Sequence, residues 1–155
     1  MNSIKNNFPV GRQQYLKIAI IILGFLGFLD ASYLTILHYK NAIPPCTVSN
    51  GCEIVLTSSY STILGIPIAL PGAGFFLAVI ALSLLLLTSP IKLFKNLLIL
   101  TAVSGTIVSV ILIYIQFAIL KAYCQYCLAS EAISFLILFT AILIWKDIKA
   151  SGKKP

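Results

Sequence analysis

Charge is what this sequence has least of. Eleven basic and four acidic side chains leave only 10% of the 155 residues charged, where soluble domains carry roughly one quarter. That scarcity excludes an ordinary soluble globule and marks a membrane protein. The net charge of +7 does not point to nucleic acid. The basic residues sit in short segments between apolar runs, where they orient a chain in a bilayer. Nothing is left over for a separate soluble domain either. Four apolar runs, at about 18–38, 63–87, 97–120 and 128–145, each approach the roughly 20 residues that cross a hydrocarbon core. An A-x-A cleavage site is also missing from the first run. That run is too long for a signal-peptide core and carries Asp30 and His38, so it is read as a retained span.

What charge there is falls unevenly. Lys5, Arg12 and Lys17 precede the first run, Lys92 and Lys95 separate the second from the third, and Lys146, Lys149, Lys153 and Lys154 follow the fourth. The other side of the bilayer receives only Lys40 and Lys121. This asymmetry predicts that both termini are cytoplasmic. The cysteines then sort to one side. Cys46 and Cys52 lie in the first loop, Cys124 and Cys127 just before the last run, so all four face the outside, where disulfides form and persist.

The first outer loop spans about 39–62. Pro44 and Pro45 hold Cys46 in an extended segment, and Asn50 with Glu53 has the spacing of a capping box. A short interfacial helix is therefore expected from there to about Tyr60, with Cys52 in its first turn, where helix-end amides favour a thiolate. Pro67 and Pro71 predict a kink or a late start to the second span. Cys124 and Cys127 form a Cys-x-x-Cys at a helix start, the arrangement that lets one thiol attack while the other resolves. Cys127 would look into the bundle and Cys124 toward the loop.

Other readings of the cysteines stay open on these grounds alone. A structural zinc site is disfavoured by the five residues between Cys46 and Cys52, more than the usual two to four. Inert disulfides are a second possibility, although a Cys-x-x-Cys loop is too tight to contribute much stability. Asp30 is either a functional acid or a hydrogen-bond partner of Tyr33 or His38. Glu131, one turn after Cys127, is a proton carrier or polar ligand contact, with snorkelling to the surface as the alternative. Gly24, Gly27 and Gly105, with the serines of the middle spans, predict close helix packing.

Taken jointly, several of these pieces resemble one family. Cys46 and Cys52 in the loop, Ser58-Ser59, then "GIPIALPG", then the Cys-x-x-Cys opening the last span, with "DASYLT" in the first, are similar to the vitamin K epoxide reductase family, most of all its prokaryotic members. The likeness covers nearly the whole chain. It implies an all-α membrane protein: one domain over 1–155, a four-transmembrane-helix bundle with a short extracytoplasmic interfacial helix, surrounding a quinone. It further implies a quinone-linked thiol:disulfide oxidoreductase of the cell (inner) membrane that supports disulfide formation in exported proteins. In that scheme Cys46 and Cys52 are the shuttle pair that meets a thioredoxin-like partner, Cys124 exchanges with the loop, and Cys127 faces ubiquinone or menaquinone. Ser58 is the family serine six positions after the second loop cysteine. Ser59 and Glu131 are further candidate quinone contacts, although animal members carry tyrosine where this chain has Glu131. Many bacterial relatives are fused to a thioredoxin-like domain; here the partner is expected to be a separate protein. The DsbB-type quinone-linked oxidase has the two cysteine pairs in the reverse order. A non-enzymatic four-span protein would keep both pairs oxidised and inert.

Overall fold

The computed structural model describes residues 8–46, 51–89 and 91–151. Asn50, half of the expected capping box, and Lys5, Lys153 and Lys154 of the charge count lie outside them. Among the described residues, four helices are long and apolar enough to cross a membrane: α1 (Phe8–Tyr39), α3 (Ala69–Thr88), α4 (Lys92–Tyr114, running on through a π-helical turn at Ile115–Leu120) and α5 (Gln125–Ser151). In lipid a helix satisfies its own backbone, which is why apolar runs of this length fold this way. α1 packs on α3 and α5, and α4 packs on the same two, which closes a four-membered ring.

The two ends of the ring differ. Ile20, Leu86, Leu98 and Ile144 come from the start of α1, the end of α3, the start of α4 and the late part of α5. They are fully buried with Val79, Ala102 and Ile137 in one continuous core. Lys17 Nζ donates to the Leu86 carbonyl at this end, at 2.8 Å. The opposite end holds a cavity, the cysteines, Lys40 and Lys121. Side chains such as Phe25, Leu84, Ile107 and Phe139 stay exposed on the outside of the ring, where a membrane protein meets lipid.

Close approach of the helices depends on the small residues singled out above. A Cβ built on Gly27 would sit 2.3 Å from the Phe76 ring, one on Gly105 2.3 Å from the Phe75 ring, and one on Gly24 2.9 Å from Ile80. Gly27→Ala is therefore expected to pry α1 from α3. Overpacking of a filled core costs typically about 1–3 kcal/mol, so the detergent-solubilised variant should unfold at a clearly lower temperature than wild type. An unchanged midpoint would mean that Phe76 has room to turn away.

Three expectations need correction. The short helix, α2, spans Cys52–Thr57 with Gly51 as its N-cap and no side-chain cap bond; it does not reach Tyr60. It stops because Ser58 turns extended and its Oγ donates to the Val55 carbonyl at 2.7 Å. The second span begins at Ala69 rather than near 63, the late start for which Pro67 and Pro71 argue. The intervening residues form a small hairpin of β1 (Thr62–Ile63) and β2 (Ile66–Pro67), turned by Leu64 and Gly65 at φ 53° and 80°. Two successive positive φ angles are what a tight antiparallel hairpin needs. The Ile68 N–H then closes onto the Ser61 carbonyl at 2.9 Å, and Pro71 falls in the first turn of α3, where its missing N–H costs nothing. Finally, Asp30 accepts a hydrogen bond from Ser130 Oγ. It ties α1 to α5 and pairs with neither Tyr33 nor His38; Tyr33 instead packs on the Tyr126 ring at 5.6 Å.

Candidate functional site

The cysteine end is assembled by three short segments. Cys52 and Val55 of α2 are buried against Ala122 and Cys124 of the loop before α5, with Cys46, Leu56, Leu120, Tyr126 and Cys127 packed around them. Cys46 and Cys52 form a disulfide with Cα atoms 6.3 Å apart. Tyr126 Oη donates to the Pro45 carbonyl at 3.3 Å, fastening the extended segment before Cys46 to the start of α5. Gly51 makes this packing possible. A Cβ there would lie 2.5 Å from the Tyr123 nitrogen and 2.8 Å from its oxygen, so the start of α2 rests directly on the backbone next to Cys124.

Cys124 and Cys127 are free thiols. The first-turn geometry of α5 aims two donors at Cys124: the Cys127 N–H reaches its Sγ at 3.3 Å, and the Cys127 thiol donates to it at 2.7 Å. That thiol donation holds Cys124 below the ordinary thiol range. Burial pushes the other way, and the amides of Cys127 and Tyr126 assist the lowering. Those donors favour the thiolate form of Cys124, the form that attacks disulfides, more than in an ordinary thiol.

A cavity of about 1150 Å³ opens beside the pair. α1, α3 and α4 contribute apolar walls, among them Leu34, Phe75, Phe76, Val108 and Leu112. α5 contributes the more polar side with Cys127, Ser130, Glu131 and Ser134, and α2 with the hairpin covers one side. Cys127, Ser58, Ser59 and Glu131 all line it. Cys46, Cys52 and Cys124 sit next to it in the buried cluster at the same end. All seven residues singled out from the sequence are thus gathered in one place. The cavity is mostly apolar, is large enough for a flat bicyclic ring, and carries a few convergent polar groups, the usual make-up of a small-molecule site.

Gln116 is the residue that reading the sequence passed over. It sits in the π-helical turn, 3% exposed. Its Oε1 accepts the Cys124 N–H at 3.0 Å, its Nε2 donates to Glu131 Oε1 at 3.0 Å, and its carbonyl accepts the Ala122 N–H at 3.2 Å. Lys121 in the left-handed region, φ 49°, reverses the chain so that one glutamine meets all three. The available signal was a lone amide inside an apolar run.

A ring of four spans with a disulfide and a dithiol gathered over an apolar cavity defines a multi-pass membrane protein with redox-capable cysteines. A model of the vitamin K epoxide reductase family matches residues 18–142 of the 155. The chain belongs to that family and is an oxidoreductase.

Proposed function

We propose that this protein is a quinone-linked thiol:disulfide oxidoreductase. It takes electrons from a thioredoxin-like partner through Cys46 and Cys52, passes them to Cys124 and Cys127, and delivers them to a membrane ubiquinone or menaquinone. The observation that carries this reading is the position of the thiol pair between two environments. Cys124 is packed with Cys52 in the loop cluster, while Cys127 lines the apolar cavity. A quinone bound there supplies a two-electron, two-proton acceptor. The fit of such a ring rests on the aromatic walls from Phe75 and Phe76 and on polar atoms at Ser58 and Glu131.

The chain's own groups divide the work. The Cys46–Cys52 disulfide is reduced by the partner's dithiol, which is oxidised in exchange. Cys52, as thiolate, attacks Cys124 of an oxidised Cys124–Cys127 pair, and Cys46 resolves the mixed disulfide. The Cys124–Cys127 dithiol that results faces its acceptor in the cavity. The distribution of Lys and Arg supports cytoplasmic termini and an outward-facing cysteine end in the cell membrane, so disulfides made this way serve exported proteins.

Membranes containing the protein are expected to reduce a short-chain ubiquinone or a menaquinone analogue when given either dithiothreitol or a reduced thioredoxin-like protein. No quinone reduction with either reductant would overturn the reading.

A further inference from the structure

Glu131 is 3% exposed, lines the cavity beside Cys127, and uses only one of its two oxygens. Oε1 is held by Gln116 at 3.0 Å, whereas Oε2 is buried with no hydrogen-bond partner. Buried polar atoms in folded proteins are nearly always paired, so an exception invites a functional account. Here the bare oxygen belongs to a residue that lines the proposed quinone site one helical turn from Cys127, the sulfur that must lose a proton.

We infer that Glu131 is the proton-transfer group of the quinone step and that Gln116 is the positioning residue that fixes it relative to Cys124. The inference rests on the proposed quinone-linked function. In the step, the Cys124–Cys127 S–S bond forms as two electrons leave the sulfurs, and the quinone is reduced to hydroquinone. Glu131 gives its Oε2 proton to the nearer ring oxygen and takes the Cys127 thiol proton in its place. Cys124, fully buried in the loop cluster, releases its own proton through that cluster toward the outer side, and the second ring oxygen takes one from water at the cavity mouth. The count closes at two electrons and two protons, with Glu131 unchanged at the end.

Gln116 gives the arrangement its coupling. One rigid amide holds the Glu131 carboxyl with its Nε2 and the Cys124 backbone with its Oε1. The carboxyl is thereby held at the cavity wall by the same side chain that sets the start of α5. The other titratable side chains around it are Cys124 and Cys127 at the same helix start, Asp30 and His38 of α1, and Tyr60 after α2. Asp30 is engaged by Ser130.

Glu131→Gln keeps the size and the bond to Gln116 but cannot pass a proton. Fully reduced protein would be mixed with a short-chain ubiquinone in a single turnover. Losing a general acid–base group typically costs about 10²-fold or more in the chemical step, so the rate at saturating quinone should fall by about that factor, far more than half-saturation changes. Its pH profile should lose a limb that Glu131→Asp retains. A second readout needs no quinone. The infrared difference spectrum between dithiol and disulfide protein should show a carboxylic-acid C=O band that is absent from Glu131→Gln and displaced in Gln116→Met. A variant that matches wild type in rate, loses only quinone affinity, or leaves the band in place overturns the proton route. If wild type itself does not turn over, the parent reading falls, and this one with it.

Discussion

Replacing Cys46 with alanine is expected to leave a protein that still reduces quinone with dithiothreitol and fails with its thioredoxin-like partner, while a Cys52–Cys124 mixed disulfide accumulates. The reasoning is one of order. Without Cys46, Cys52 has no local thiol to resolve with, so the exchange stops at its intermediate. Two effects compete over which sulfur Cys52 attacks. Cys124 is the better-stabilised thiolate of the pair, and a low-pKa thiol leaves faster, which by itself favours attack on Cys127. Position opposes that choice. Cys52 and Cys124 are buried at the centre of the same cluster, whereas Cys127 only packs against its edge and also lines the cavity on the quinone side. Attack requires contact, so access decides for Cys124. Non-reducing peptide mass spectrometry of Cys46→Ala reads the outcome directly. A Cys52–Cys127 link would mean that leaving-group chemistry prevails, and no link would mean that α2 does not deliver its cysteine. Cys127→Ala is the matching control, since it removes the sulfur at the cavity and should bring quinone reduction to background with either reductant.

The spans were legible because their cause is compositional: about 20 apolar residues in a row have few other uses. Helix packing at Gly24, Gly27 and Gly105 was legible for a related reason, since small residues in spans mark close approach. The hairpin was not. Pro67 and Pro71 argue for a late start to the span, but Ile63, Leu64, Ile66 and Ile68 give no sign of a hairpin. The positive φ angles at Leu64 and Gly65 that turn the chain are a backbone property that hydropathy does not register. Side-chain partners were harder still. Asp30 pairs with Ser130, one hundred positions away, and no local spacing favours that choice over Tyr33. Gln116 meets Cys124 and Glu131 only because a π-helical turn and a left-handed Lys121 fold the chain back. The cysteines could be placed at one end by charge asymmetry alone; what connects them could not.

Gly51 belongs with the unread residues and carries the second large effect. Its backbone, φ −94° and ψ −6°, is open to any residue, so conformational freedom is not why glycine stands there. Space is. An alanine Cβ would meet the Tyr123 nitrogen at 2.5 Å, its oxygen at 2.8 Å and the Ala122 carbonyl carbon at 3.2 Å. These are backbone atoms of the segment that leads into Cys124, whose own N–H is held by Gln116, so they cannot swing aside as a side-chain tip would. The start of α2 has to lift away, and Cys52 goes with it. Gly51→Ala is therefore expected to lose most of its partner-driven quinone reduction while keeping most of the dithiothreitol-driven activity, because Cys124, Cys127 and the cavity walls from α1, α3, α4 and α5 are left in place. Thiol exchange depends on sulfur-to-sulfur access, so the Cys46→Ala, Gly51→Ala double variant should also trap far less of the Cys52–Cys124 link. If the double variant traps as much of that link as Cys46→Ala alone, the contact between Gly51 and Tyr123 does not set the distance between the two cysteine pairs.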